Sequence, residues 1–359
     1  MDIDLPFFLD LLRIPSVTDD IPQVNRAVAA MRAWLEARGL HCATETMPDG
    51  REFLYASVVA GDRTPKLLLN AHLDVVPAAP EQFEPRVEDG NVAARGTSDC
   101  KGNALAIATA LAALAGSGAS VGAIFSSDEE EGGATTGEAV ARGYRATGLA
   151  VVLDAGPWSI TYSQKGILSL RLVAKGRGGH ASEPWRFDNP IDRLFDGWTR
   201  LRAAWPAIAD EEGHWGDSLA ATVVRAGAVH NQIPGEASMV ANIRFVEPGA
   251  IPRIEAFVHE TSGLEVEVLT TCEPVVCDAD APALAALREA MAKAFGREIP
   301  MVRMHGATDA RHFTGPGAAP VAMIGVEGWR CHDEGEGATL ASIRAYADLL
   351  VSFARSFAL

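Results

Sequence analysis

Short apolar runs, each closed by histidine or acid, constrain this chain most. Leu67 to Leu69 leads into His72-Leu-Asp74, Val121 to Phe125 into Asp128-Glu129-Glu130, and Ala150 to Leu153 into Asp154. The runs are too short and too uniformly apolar for surface helices, and helix-like stretches such as Ala104 to Ala115 separate them. Strands that alternate with helices and are apolar on both faces predict an α/β fold with a mainly parallel sheet flanked by helices. Open parallel sheets bind ligands at the carboxyl ends of their strands, so the acids and the imidazole are expected to gather at one sheet edge.

Ahead of these runs, Val24, Ala27, Val28, Met31, Trp34 and Leu35 recur at helical spacing, with Pro22 suited to a first turn and Gly39 to a C-terminal cap. That pattern predicts an amphipathic helix over residues 22–38 lying on the sheet. From about Gly166 the pattern changes to strand-like stretches at Ile167 to Ala174, Ser218 to Ala228 and Ala237 to Phe245, with a helix-like segment between Asn189 and Trp205. The tail returns to a helix over Ala281 to Phe295, a short strand over Val321 to Ile324 and a closing helix over Leu340 to Phe357. At 359 residues the chain exceeds the usual size of one domain. We expect a catalytic metal-binding domain made of residues 1–165 and 274–359, interrupted by an α+β insert at 166–273.

Forty-seven acidic against 31 basic side chains give a formal charge of −16, which repels phosphate backbones and anionic membranes. Nucleic acid is excluded as an expected partner. The five cysteines, Cys42, Cys100, Cys272, Cys277 and Cys331, are odd in number and contain no C-x-x-C pair, which argues against a disulfide scaffold and a zinc ribbon. The chain starts without a basic segment leading into an apolar stretch, and no run of ~18 apolar residues occurs, so a cytoplasmic enzyme is expected.

Histidine nitrogen and carboxylate oxygen are the ligands that zinc takes in hydrolases, and a carboxylate beyond the ligand set can serve as a base. The strand-end residues, together with Asp99 in Ser98-Asp-Cys-Lys-Gly102, therefore predict a metal site with enough ligands for two ions. Asp74 lies two residues after His72 along the strand and points to the same side, so it can accept the other ring N–H and fix the tautomer. Taken singly, His72 could be a packed core histidine, Asp128 to Glu131 a helix cap, and His332 a loop residue. Jointly those readings leave unexplained why every motif falls at a strand end.

The motifs His72-x-Asp74-Val-Val-Pro77, Asp99-x-Lys-Gly102, Asp128-Glu-Glu130 and the late His332 resemble the zinc peptidase family of acetylornithine deacetylase, succinyl-diaminopimelate desuccinylase, aminoacylase and glutamate carboxypeptidase. The likeness continues through Gly179-His180-Ala-Ser182, Asn231-Gln-Ile-Pro234, Asn242-Ile-Arg244 and Gly306-Ala-Thr-Asp-Ala-Arg311, in family order over nearly the whole chain. The resemblance implies two Zn²⁺ ions per subunit, with Co²⁺ or Mn²⁺ as substitutes. Asp99 would bridge them, His72 and Asp154 would complete one site, and Glu130 and His332 the other. Glu129 would be the general base, because a carboxylate on a metal loses basicity and its neighbour does not. The string Asp128-Glu-Glu-x-Gly132 favours Glu129 and Glu130 over a register shifted to Glu131. The resemblance further implies a cis peptide at Asp99-Cys100, a homodimer formed through the insert, and His180 as a donor to the developing oxyanion.

Substrates of that family carry a free carboxylate beside the cleaved amide, and Arg244 is the expected partner for it, with Asn231, Thr308 and Arg311 in support. Cys100 and Cys331 adjoin two of the ligands and are expected to pack as small apolar residues. One position departs from the deacetylases and desuccinylases: they usually show Glu-Pro where this chain has Asp154-Ala-Gly-Pro157. Other branches of the family resemble this use of aspartate. The expected activity is cleavage of an N-acyl amino acid or small peptide. The competing readings are a dipeptidase, carboxypeptidase or N-carbamoyl amidohydrolase of the same family, a noncatalytic binding relative, and a two-metal phosphoesterase. The last is disfavoured by the negative charge and by the lack of a glycine-rich phosphate loop.

Overall fold

Every residue of the strand Leu67–His72 is buried, as is every residue of Val121–Ser126, Leu149–Leu153 and Val321–Ile324. In the computed structural model, which describes residues 2–207 and 214–359, these four strands lie side by side and parallel, in the order Val121–Ser126, Leu67–His72, Leu149–Leu153, Val321–Ile324. Burial at both odd and even positions is what helices on both faces impose. One covering helix, Gly102–Leu114, is itself buried almost all round, and its alanines let it pack closely. A Cβ on Gly102 would lie 2.3 Å from the Thr97 carbonyl oxygen, so only glycine lets the helix begin this close to the turn before it. The helix Ile21–Glu36 buries the six apolar positions that its periodicity predicts, and Leu340–Phe357 closes the chain with the expected bounds.

The sheet departs from a wholly parallel one at both edges, since beyond Val321–Ile324 Met323 pairs antiparallel with Thr161. Residues His41–Thr46 and Glu52–Ser57 form an antiparallel hairpin, whose second strand runs antiparallel to Val121–Ser126. The turn Met47-Pro-Asp-Gly50 explains the reversal: the Met47 amide donates to the Arg51 carbonyl at 2.7 Å, and Gly50 takes a φ of 89°.

Residues 163–276, with the short stretch Met304–Ala307, form a second compact unit. Its sheet is antiparallel throughout, in the order Ser218–Ala226, Glu236–Phe245, Gly166–Lys175, Glu265–Cys272. Alternating burial along Gly166–Lys175 puts Leu168, Leu170 and Leu172 into a core with Leu194 and Leu201 of the helix Pro190–Ala204. Two elements of this unit had no clear sequence signature. The helix Ile251–Ser262 buries only Ile254, Val258 and Ser262, and the edge strand Glu265–Cys272 is exposed along most of its length, so neither carries a strong apolar period. Among the described residues, no helix is long and apolar enough to cross a membrane, and all five cysteines are free.

Candidate metal centre

Strand register brings the first ligands together. Leu67–His72 pairs Asn70 with Val152, so His72 at the end of one strand lies level with Asp154 just beyond the next, and on the other side His72 pairs with Ser126. His72 is 1% exposed. Its Nδ1 lies 3.0 Å from the Asp74 carbonyl oxygen and 3.3 Å from the Asp74 carboxylate, which accept its proton and turn Nε2 toward Asp99. That Nε2 is 2.8 Å from Asp99 Oδ1.

Asp74, fully buried, does more than the tautomer argument asks of it. Its carboxylate accepts from Thr18 Oγ1 at 2.9 Å and from the Glu129 and Glu130 amides at 3.2 and 3.3 Å, so it holds both His72 and the turn that carries the next acids. Burial opposes its charge, but the His72 and Thr18 contacts outweigh burial and keep Asp74 below the ordinary carboxylate range. In the single turn Glu129–Glu131, Glu129 and Glu130 are partly buried whereas Glu131 is exposed. Glu130 Oε2 lies 3.0 Å from His332 Nε2, and the same nitrogen is 3.1 Å from Asp99 Oδ2.

Asp99 thus turns one oxygen to each imidazole. Its peptide bond to Cys100 is cis, as expected. His332 sits in a loop at φ 65°, a left-handed conformation that costs a non-glycine residue roughly 1–2 kcal/mol and is found where the surroundings over-determine it. Ligand atoms form two groups that could each hold a cation: His72, Asp99, Cys100 and Asp154 in one, Asp99, Glu130 and His332 in the other. Cys100 is the weakest member of the first, because its buried thiol donates to the Leu153 carbonyl at 2.9 Å and burial pushes it up to about 12.

The crowding of acids shows in their protonation. Burial first, then the neighbouring Asp309 and Asp99, push Glu129 up to about 8, and burial pushes Glu130 up to about 7. Asp154 is raised well above the ordinary range by burial, Asp99 and Glu129. Asp99 is the exception: burial opposes its charge, yet hydrogen bonds from His332 and His72 hold it well below the usual range. His332 in turn is raised to about 9, chiefly by its contact with Asp99.

A family model described as peptidase family M20/M25/M40 matches residues 68–356. The chain belongs to that family. It is similar to a succinyl-diaminopimelate desuccinylase of Gluconacetobacter diazotrophicus, 30% identical over 374 residues that span 96% of this chain and 94% of the relative. Its fold is similar to that of an M20 family metallo-carboxypeptidase from Sulfolobus solfataricus (TM-score 0.83, 16% identity, 99% of each chain). It is also similar in fold to a dinuclear metal-binding peptidase of the M20 family from Bacillus subtilis (TM-score 0.69, 16% identity, 99% of each chain). As a member of this family the chain is a metal-dependent hydrolase acting on amide bonds.

For an M20 enzyme the residues present fit a pair of cations. The two ligand groups share one carboxylate, and Glu130 Oε1 is buried without a hydrogen-bond partner among the described residues, an acceptor that a cation would satisfy. Thr308 caps the turn Asp309–Phe313 by accepting from the Ala310 amide. Arg311 donates from Nε to His312 Nε2 at 3.2 Å and from Nη1 to the Thr308 carbonyl at 3.2 Å, and its charge favours ionisation of Glu129. His180, Asn231 and Arg244 belong to the second unit. There the Ala181 amide donates to the Asn231 carbonyl, and the Ser182 amide donates to His180 Nδ1, which leaves the proton of a neutral ring on Nε2. Arg244 is braced on its own strand, donating from Nε to Asn242 Oδ1 at 3.1 Å.

Sequence reasoning missed Thr18, Arg51, Asp309 and Glu336. Buried Arg51 donates to the Thr18 and Ser127 carbonyls, and buried Asp309 accepts from Ser126 and Thr136 at 2.6 Å each. Asp309 lies inside the stretch Gly306-Ala-Thr-Asp-Ala-Arg311, between the two residues that the sequence marks, Thr308 and Arg311. Trp158, near a motif position, packs on Phe295 and Tyr346.

Proposed function

We propose that this chain is a dinuclear zinc amidohydrolase that removes the acyl group of an N-acyl amino acid. Asp99, common to both ligand groups, would hold both ions, His72 and Asp154 would complete one site and Glu130 and His332 the other, and Asp74 would fix the His72 tautomer. Bound there, the ions supply Lewis-acid polarisation of the scissile carbonyl and acidify the attacking water. Glu129 takes the proton of that water and returns it to the leaving nitrogen. The observation that carries this reading is that Asp99 directs one oxygen to each imidazole while Glu129, outside both ligand groups, keeps a raised affinity for protons. Nitrogen and carboxylate oxygen ligands, with the nearby thiol engaged elsewhere, suit Zn²⁺, and Co²⁺ or Mn²⁺ would substitute.

His180 donates to the oxyanion and Arg244 binds the substrate carboxylate, with Asn231, Thr308 and Arg311 in support. The 166–273 insert acts as the lid and forms a homodimer. Its sheet ends in the edge strand Ser218–Ala226, on which Val223 and Val224 are 41% and 50% exposed, and such an edge invites a second copy. Val224→Lys is expected to lower the mass in solution. Five free cysteines and the acidic charge suit a cytoplasmic protein.

A second reading has one observation in its favour. Asp154 stands where the deacetylases and desuccinylases usually have glutamate, which favours another branch of the family and, with it, a dipeptide substrate. The deciding experiment measures free-amine release by zinc-loaded protein from N-acetyl, N-succinyl and N-carbamoyl amino acids and from dipeptides, with Glu129→Gln as the control. Release from the acylated amino acids that vanishes in the variant supports the main reading. Release from dipeptides alone supports the second, and no release from any substrate overturns both.

A further inference from the structure

The bridging aspartate owes its position to a residue outside both ligand groups. Glu336 is 1% exposed, and its carboxylate takes four hydrogen bonds. Oε1 accepts from the Ser98 and Asp99 amides at 2.9 and 3.0 Å, and Oε2 accepts from the Gly96 amide at 2.9 Å and from Arg95 Nη1 at 2.6 Å. Three of the four donors are backbone groups of the turn that presents Asp99, so the carboxylate sits in a nest of amides whose shape is that of the turn itself.

Glu336 reaches this nest because of sheet register. The short strand Gly337–Thr339 pairs with Asn91–Ala93, Gly337 opposite Ala93, and the Ala94 amide donates to the Glu336 carbonyl at 3.1 Å. Four residues before Glu336 in the same loop is His332, whose Nε2 lies 3.1 Å from the other end of Asp99. One side chain therefore ties together the two segments that supply Asp99 and His332.

We propose that Glu336 is a positioning residue for the dinuclear centre: by fixing the Asp99 turn to the His332 loop it sets the spacing at which a second ion binds. This rests on the two-metal reading above. Glutamine at 336 would turn an NH₂ group toward amide or guanidinium donors and leave at least one buried N–H unpaired, so the turn would lose its fixed shape. Residues that orient metal ligands in this way typically change metal affinity 10–100-fold when altered.

The test uses the full chain, stripped and reloaded, with zinc affinity and stoichiometry measured by competition against a chromophoric chelator and the Co²⁺ absorption spectrum recorded in parallel. Wild type binding two ions upholds the two-metal reading, and fewer than two overturns that reading whatever the variants do. Given two, Glu336→Gln is expected to bind the second ion at least tenfold more weakly with an altered Co²⁺ spectrum. Glu336→Asp, which keeps the charge but shortens the reach, should fall between. Glu334→Gln, an exposed acid in the same loop, should match wild type. The proposal is overturned if Glu336→Gln and Glu336→Asp bind both ions as wild type does, even with a lowered melting temperature of the metal-free protein. Should Glu336→Gln fail to fold, Glu336→Asp decides by the same criterion.

Discussion

The two imidazoles of the centre are built in opposite ways. His72 ends a fully buried parallel strand, is 1% exposed, and has its far nitrogen held by Asp74, itself tied to Thr18 and two backbone amides. His332 is 53% exposed, lies in a loop at positive φ, and its ring nitrogen meets two acids of the centre, Asp99 and Glu130. One nitrogen is thus positioned by the sheet, whatever is bound, and the other by the charges it meets. The difference teaches that a single centre can combine a preformed half and a half completed by its ligands, and on the proposed reading the His72 side should bind its ion more tightly.

The largest effect belongs to the residue that sits with neither histidine. On the proposed reading, Glu129→Gln cuts turnover by about 10²–10⁴-fold with metal content unchanged, since it would remove proton transfer and leave both ligand groups intact. Loss of metal along with activity would instead make Glu129 a ligand, and the comparison would need redrawing. The histidines themselves come next. His72→Ala leaves the buried Asp74 without its imidazole and Asp99 with His332 alone, and stability should fall by about 3–5 kcal/mol. His332→Ala should cost less stability than His72→Ala, because its ring is half exposed and Asp99 keeps His72, yet one ion should be lost. Urea unfolding of the metal-free variants, alongside metal analysis, checks both, and equal stability losses would break the contrast.

The preformed half is also the half that could be read from sequence. Buried parallel strands carry an unbroken apolar signal, and register alone then puts His72, Asp154 and the Asp128 turn at one edge, so the positions of these groups follow from local pattern. What holds them does not. Thr18 and Asp74 are 56 residues apart and Glu336 and Asp99 are 237 apart, and neither pairing has a period or spacing that marks it. Glu336 was further hidden by its setting, Asp333-Glu-Gly-Glu336, where a buried acid looks like one more surface charge. In the second unit the same rule explains the missed strand Glu265–Cys272: an exposed edge has no apolar alternation to read.

Protonation gives a milder way to separate the halves. Glu129, Glu130 and His332 all have raised values in the fold, about 8, 7 and 9. A raised group contributes stability below its unfolded value and loses it as pH climbs through the folded one. For the two glutamates the contribution is complete below about 4.5 and lost through about 7 to 8. For His332 it is complete below about 6.5 and lost through about 9. Asp99 is lowered, so its contribution disappears only in acid, below the ordinary range near 3.8. The metal-free protein should therefore melt at progressively lower temperature between pH 5 and about pH 9, and saturating zinc should flatten that slope by compensating the acids. His332→Ala should reduce the slope above pH 7. A metal-free melting curve independent of pH would show that these groups are not coupled to folding.

The smallest expected effect probes the anchor of the preformed half. Thr18→Val keeps the shape of the side chain and removes one hydrogen bond to a buried carboxylate, worth about 1.5–3 kcal/mol when the acceptor is charged. Asp74 retains the Glu129 and Glu130 amides and His72, so the fold should survive and affinity for the first ion should drop only a few-fold. Affinity for the second ion should change less, because Thr18 reaches that site only indirectly, through Asp74 and the Glu130 amide. If chelator competition found the second ion weakened as much as the first, the two halves would share one scaffold, and the contrast between a sheet-built and a loop-built histidine would be one of exposure alone.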